Sequence, residues 1–222
     1  MFGMVAMLLA CDKYMDVHQE FVQSGEIIYA PKLDSVAVYA GKERLKLGLW
    51  YFNGHHLQTT VIKWNNNQDS MMIQLKDYNL QSGLDSLEVF IPNLEQNAYS
   101  FTLYNIDVHG SRSLSTPAFG SVYGVDFQSG LANRRIRNLH NFGEEGFLIE
   151  WLGAEETMVG MEIRLVDDVT QQEMIFLRPV ESLSEIRVQP RQGQFYMRSL
   201  FLPETTAVDT FYTTWSEVIQ LQ

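Results

Sequence analysis

The chain has 222 residues, a formal net charge of −11 and a pI near 4.8. The length allows two domains of ~100 residues or one large one, and 45% hydrophobic with 12% aromatic content excludes a disordered chain. So acidic a body is repelled by phosphate backbones, which argues against nucleic acid as a partner, and a single cysteine excludes an internal disulfide.

The first element is an apolar run from Met1 to Ala10 that stops at Cys11. Leu8-Leu9-Ala10-Cys11 resembles a bacterial lipobox, where the chain is cut before the cysteine and the cysteine receives lipid. On that reading residues 1–10 are a removed signal peptide, Cys11 is the lipidation site and residues 11–32 form a tether. Each buried CH₂ adds ~0.8 kcal/mol, so the several acyl chains of a lipobox cysteine hold a protein to a membrane stably. No Lys or Arg precedes the run, a departure from the usual basic start of a signal peptide. The alternative is a buried core cysteine in a chain whose start is merely apolar. Val17, Phe21 and Val22, closed by Gly25, predict a short helix or an ordered tether. No later stretch approaches the ~18 apolar residues of a membrane-spanning helix.

After the break at Ala30-Pro31 the pattern changes to period two. Val36 and Val38 predict a first strand, Gly41-Lys42 a turn, and Leu45, Leu47 and Leu49 a second strand with three leucines on one face. Asn53-Gly54 is the strongest turn signal. Thr59 to Trp64 and Met71 to Leu75 predict two more strands around a polar turn at Asn65 to Asp69. Leu87, Val89 and Ile91 form a fifth run stopped by Pro92-Asn93, and Tyr99, Phe101 and Leu103 form a sixth. This spacing is that of a β-sandwich. Tyr99, Phe101 and Leu103, followed by Asn105, Asp107 and Gly110, resemble the F strand and turn of fibronectin type III domains. The resemblance implies that Tyr99 forms a tyrosine corner.

A second copy follows about 100 residues on. Phe147, Ile149 and Trp151 match the leucine strand, and Trp151 resembles the inward Trp that often ends strand B in fibronectin type III domains. Met161 to Leu165 and Met174 to Phe176, around a turn at Asp167-Asp168, match the next pair. Ile186, Val188 and Pro190 match Val89 to Pro92, Phe195 and Met197 match Tyr99 and Phe101, and Thr210 to Ile219 predicts the last strand. The expectation is an all-β chain of two tandem fibronectin type III-like (immunoglobulin-like) β-sandwiches after a lipoprotein signal peptide. The first sandwich covers 33–118, a Gly- and Arg-containing linker 119–141, and the second sandwich 142–222. One larger sandwich is the alternative.

His18 to Phe21, Gly25-Glu26, Lys32 to Val36, Gly120 to Gly124 and Asn133 to Ile136 carry a further likeness. They resemble a group of Bacteroidetes outer-membrane lipoproteins known only as a domain of unknown function. The resemblance implies an outer-membrane lipid anchor, on the cell surface or the periplasmic face, and association with polysaccharide-utilisation systems. It implies no catalytic residue and no cofactor.

Three stretches are candidate binding residues. Trp50-Tyr51-Phe52 is the densest aromatic stretch, and alternation requires Trp50 or Tyr51 to face away from the core, where a ring can stack on a sugar. The linker or the second domain could equally cover it. Arg134, Arg135 and Arg137 stand out in an acidic chain, as a site for an acidic sugar or lipid head group or as ion pairs fixing the domain angle. Trp215 in the last strand is open to either use. The five histidines lack metal-ligand spacing, and no nucleophile, phosphate-loop or zinc-protease motif occurs. With the family resemblance, the expected function is a non-catalytic surface lipoprotein that binds glycan or assists its uptake. The alternative is a spacer or scaffold of an outer-membrane transporter complex without glycan contact.

Overall fold

The computed structural model describes residues 28–221. The signal peptide, Cys11 and most of the expected tether lie outside them. The described residues form two β-sandwiches in series, each with its own buried core.

In the first sandwich β1 (Ser35–Ala40), β2 (Arg44–Phe52) and β5 (Leu84–Pro92) form one antiparallel sheet in the order β1-β2-β5. Facing it, β3 (Leu57–Trp64), β4 (Asp69–Gln74), β6 (Asn97–Asp107) and β7 (Thr116–Val122) are ordered β4-β3-β6-β7. The second sandwich repeats this. Its smaller sheet is β12-β9-β8, from β8 (Ile136–Asn141), β9 (Phe147–Trp151) and β12 (Leu183–Ile186). Its larger sheet is β11-β10-β13-β14, from β10 (Met158–Asp167), β11 (Glu173–Arg178), β13 (Pro190–Phe201) and β14 (Phe211–Tyr212). A last strand, β15 (Ile219–Gln220), also pairs with β13. In both halves the first, second and fifth strands share one sheet. The third, fourth, sixth and seventh share the other. This is the fibronectin type III arrangement expected from the sequence.

The alternating residues set the cores. Leu45, Leu47, Leu49 and Tyr51 of β2 meet Ile62, Phe101 and Leu103 of the opposite sheet, all fully buried. Phe147, Ile149 and Trp151 of β9 likewise meet Ile163, Phe195 and Met197. Trp151 points inward as expected, and its indole N–H donates to Ser184 Oγ at 2.9 Å. The Tyr99 hydroxyl donates to the Glu95 carbonyl at 3.0 Å, closing the tyrosine corner.

Local chemistry explains two connections. Asn65, Asn66 and Asn67 all hold positive φ between β3 and β4, a conformation Asn tolerates better than other residues with a side chain. Asn53 also has positive φ, but it does not join a hairpin. It starts the crossing from β2 in one sheet to β3 in the other, through a 3-10 turn at Gly54–His56.

Several sequence boundaries move. β7 runs to Val122 and β8 opens at Ile136, so the connection is shorter than the expected 119–141. It contains a short helix, α1 (Val125–Ser129). The second sandwich starts before residue 142 because Ile136 to Asn141 pair with β9. Its fifth strand ends at Ile186, and Pro190 already belongs to β13. The expected final strand is two short pieces, β14 and β15, with Trp215 in the irregular stretch between them.

The two sandwiches are joined by more than the connection. The Arg44 guanidinium forks onto Asp209, Nε to Oδ2 at 2.8 Å and NH2 to Oδ1 at 2.5 Å. The Lys42 amide donates to the same carboxylate at 2.8 Å, and the Val208 amide to the Ala40 carbonyl at 2.8 Å. Gln96 Oε1 accepts the amides of Gly124 and Phe127, both at 2.9 Å, anchoring α1 to the first sandwich. On the other side Phe127 packs on Tyr123 and Phe211 with ring centres 5.0 Å apart in each case. The Tyr123 hydroxyl donates to Glu204.

Candidate functional site

Alternation on β1, β2 and β5 places a row of side chains on the outer face of the first sandwich. Register sets Tyr39, Lys46 and Phe90 side by side, with Gly48 opposite Glu88 one row along and Trp50 opposite Ser86 beyond it. Lys46 Nζ sits 4.6 Å from the Tyr39 ring centre and pairs with Glu88 at 2.8 Å. Arg44 lies 4.7 Å from the Phe90 ring centre.

Gly48 decides the pose of Trp50. A Cβ added there would meet Trp50 Cη2 at 2.8 Å, Cζ3 at 3.0 Å and Tyr39 Cε2 at 3.4 Å. The indole is therefore pressed onto the backbone at Gly48, beside Tyr39. It remains partly exposed, and Phe90 is 44% exposed. The result is a shallow aromatic surface bordered by an ammonium and a carboxylate. Lys46 and Arg44 lie over the Tyr39 and Phe90 rings, so Trp50 is the ring left to meet the C–H face of a sugar, with the charged groups beside it for the hydroxyls.

Tyr51 is corrected by its placement. It is fully buried, so it offers no surface to a ligand. Thr60 Oγ1 gives its proton to Asn105 Oδ1 at 2.7 Å, so the Tyr51 hydroxyl is the donor in its 2.9 Å bond to Thr60. Burial raises the phenol above its ordinary range.

The arginine cluster separates into two parts. Arg134 is 8% exposed, and its Nε and NH1 donate to the carbonyls of Leu152 and Glu181 at 2.8 and 2.7 Å. Its guanidinium lies 5.6 Å from the Trp151 ring centre, and burial lowers its pKa. This arginine is a structural tie inside the second sandwich; neither a ligand site nor an ion pair between domains describes it. Arg135 and Arg137 are exposed.

Trp215 sits at the outer face of the larger sheet of the second sandwich. Arg164 and Arg198 lie 4.5 and 4.6 Å from its ring centre. Arg164 also lies 4.9 Å from Tyr196, and Arg198 4.3 Å from Tyr212. The indole is thus already occupied by guanidinium groups. Of this cluster the sequence singles out only Trp215; Arg164, Arg198, Tyr196 and Tyr212 are grouped by strand register alone.

Among the described residues the histidines do not converge. His55 and His56 are exposed neighbours with ring centres 3.9 Å apart, and His140 bonds Glu150 at 3.1 Å. Asn138 and His140 together hold the Glu150 carboxyl below its ordinary value. His18 lies outside the described residues. An open cleft of about 470 Å³ lies where Val38, Tyr99, Phe119 and Gly120 of the first sandwich meet Glu204 of the second.

A family model described as a domain of unknown function, DUF4998, matches residues 11–211. No curated protein matches the chain. Among solved structures, a two-domain fibronectin type III segment of chicken tenascin is 9% identical, with 86% of this chain and 99% of that one covered and a TM-score of 0.32. The FN1–FN3 domains of chicken CNTN1 are 10% identical, with coverage of 87% and 68% and a TM-score of 0.43. Latent PorU from Porphyromonas gingivalis is 11% identical, with coverage of 87% and 20% and a TM-score of 0.34.

Proposed function

We propose, for a chain that belongs to the DUF4998 family of unknown function, a non-catalytic glycan-binding role at the surface of a Bacteroidetes cell. The anchor is lipid on Cys11 in the outer membrane, and the setting is a polysaccharide-utilisation system. The observation that carries the reading is the Trp50 surface: a partly exposed indole set against Gly48 beside Tyr39, with Glu88, Lys46 and Phe90 in the neighbouring rows. An open shelf of this kind binds a chain of sugars along its length. It offers no enclosed site in which to hold a reacting bond away from water.

The test is a glycan array on the soluble body, residues 12–222, followed by titration of the strongest ligand against Trp50→Ala. Loss of a stacked ring should weaken binding by at least tenfold with an unchanged melting temperature. A silent array, or a Trp50→Ala protein that binds as well as the parent, would refute the role. Labelling growing cells with a fatty-acid analogue tests the anchor, with Cys11→Ala expected to abolish the label.

A second reading is favoured by the joint between the sandwiches. Arg44–Asp209, Ala40–Val208 and the Phe127 cluster fix two domains at one angle, as a spacer or scaffold in a transporter complex requires. Co-purification with an outer-membrane transporter, alongside a silent array, would favour it.

A further inference from the structure

Two arginines stand on the outer face of the second sandwich, and they differ in one respect. Arg198 of β13 stacks on Trp215 and Tyr212, and its Nε donates to Glu162 on the adjacent β10 at 2.6 Å. Arg164, two residues from Glu162 on β10, stacks on Tyr196 and Trp215. Register sets Glu162 opposite Arg198 and Arg164 opposite Tyr196, so all four share one face. Among the described residues Arg198 has its carboxylate and Arg164 has none. Nor does any hydrogen bond from the Arg164 side chain occur among them.

A guanidinium has five N–H donors in a planar fork that matches a carboxylate. At Arg164 two rings hold that fork, and the group is only partly exposed. Its ordering is already achieved before a ligand arrives, which lowers the cost of binding. Arg112 differs: it is exposed, and stacks on the single ring of Tyr104. Beside Arg164 the edge strand β11 exposes Ile175, 55% accessible, in direct register with it. Neighbouring strands lie ~4.8 Å apart, which is about the width of one sugar ring. An apolar side chain and an open guanidinium at that separation fit a ring with one C–H face and one carboxylate.

We propose that Arg164 is a carboxylate-binding residue, and that the second sandwich takes a uronic-acid unit of an acidic polysaccharide through it. The proposal rests on the glycan-binding reading but uses a different face of a different domain from Trp50.

The experiment titrates the full chain with an oligogalacturonate and with the same oligosaccharide after reduction of its carboxyl groups to alcohols. A poly-glutamate peptide of similar charge is the third ligand. The expected result is at least tenfold tighter binding of the oligogalacturonate than of its reduced form, weakened by added salt. Arg164→Gln should erase that preference, and Trp50→Ala should keep it. Equal affinity of the unmutated chain for the charged and reduced oligosaccharides overturns the proposal, whether or not the variant folds. Binding of poly-glutamate as tight as that of the oligogalacturonate overturns the sugar assignment. If the neutral oligosaccharide binds through Trp50 and no carboxyl preference exists, Arg164 fails while the glycan reading stands. A carboxyl preference that requires Arg164, with no contribution from Trp50, refutes the Trp50 site alone. Silence toward both oligosaccharides overturns the proposal and leaves the glycan reading to the array.

Discussion

At the scale of single residues, burial sorts the arginines and aromatics into structural and exposed groups. Arg134 illustrates the first kind. Its guanidinium donates to two carbonyls and packs on a buried indole, and Arg134→Ala removes all three contacts. The loss of two charge-assisted hydrogen bonds and of that packing should destabilise the second sandwich by ~2–4 kcal/mol, read by urea unfolding. Arg135→Glu with Arg137→Glu should shift unfolding by less than ~0.5 kcal/mol, as exposed substitutions do. Equal losses in both proteins would contradict the division. Tyr99 is a milder case. Tyr99→Phe removes one hydrogen bond to the Glu95 carbonyl and keeps the ring. The expected loss is ~1 kcal/mol, measured in the same way. These roles could not be read from residue type, since Arg134 and Arg135 are neighbours in the chain and opposite in burial.

At the scale of elements, β2 carries the fold and the candidate site on its two faces. Leu45, Leu47, Leu49 and Tyr51 enter the core, while Lys46, Gly48 and Trp50 face outward. Gly48 looks like a weak point in a strand, because a glycine there contributes no side chain to pack. Its use is the space it leaves for Trp50. Gly48→Ala should lift the indole from the sheet. Stability should change little, since Ala suits an extended strand better than Gly does, while glycan affinity should fall several-fold in titration. Unchanged affinity would detach Gly48 from the site. Gly146 is the harder constraint. Its φ is +107°, and an added Cβ would collide with the Ile186 carbonyl and the Arg187 Cα, which are backbone and cannot swing aside. Gly146→Ala should therefore lower the melting temperature of the second sandwich well beyond the effect of Gly48→Ala.

At the scale of the whole molecule, the joint makes two similar domains one body. Arg44 and the Lys42 amide hold the Asp209 carboxyl below its ordinary value, while burial opposes them. A carboxylate whose folded pKa is depressed adds stability that is complete above its unfolded value, ~3.9, and lost as pH falls through the folded one. The joint is thus insensitive to pH near neutrality and loosens only in acid below about pH 4. The Arg44 side chain is 42% exposed, so solvent limits the pair to ~1 kcal/mol. Asp209→Asn should leave each sandwich folded and broaden the distribution of domain angles. Small-angle scattering reads that directly, and a profile identical to the parent's at pH 7 would assign the joint to α1 and the Phe127 cluster instead.

The sequence alone determined most of the strands and the two-fold repeat, which follow from period-two alternation and depend only on where successive Cβ atoms point. The tyrosine corner and the inward Trp151 come from the resemblance to fibronectin type III domains. Alternation also required that Trp50 or Tyr51 leave the core, and carried on from Leu45, Leu47 and Leu49 it turns Trp50 outward. The tertiary structure adds what lets a phenol stay inside, since Thr60 and Asn105 on the facing sheet supply the polar partners of Tyr51. The same holds for Asp209, whose partner Arg44 is 165 residues away, and for Arg164, whose rings come from β13 and the stretch before β15. A local pattern carries no information on which distant side chains share a face. That is fixed when strand register and the docking of the two sandwiches are set together by packing.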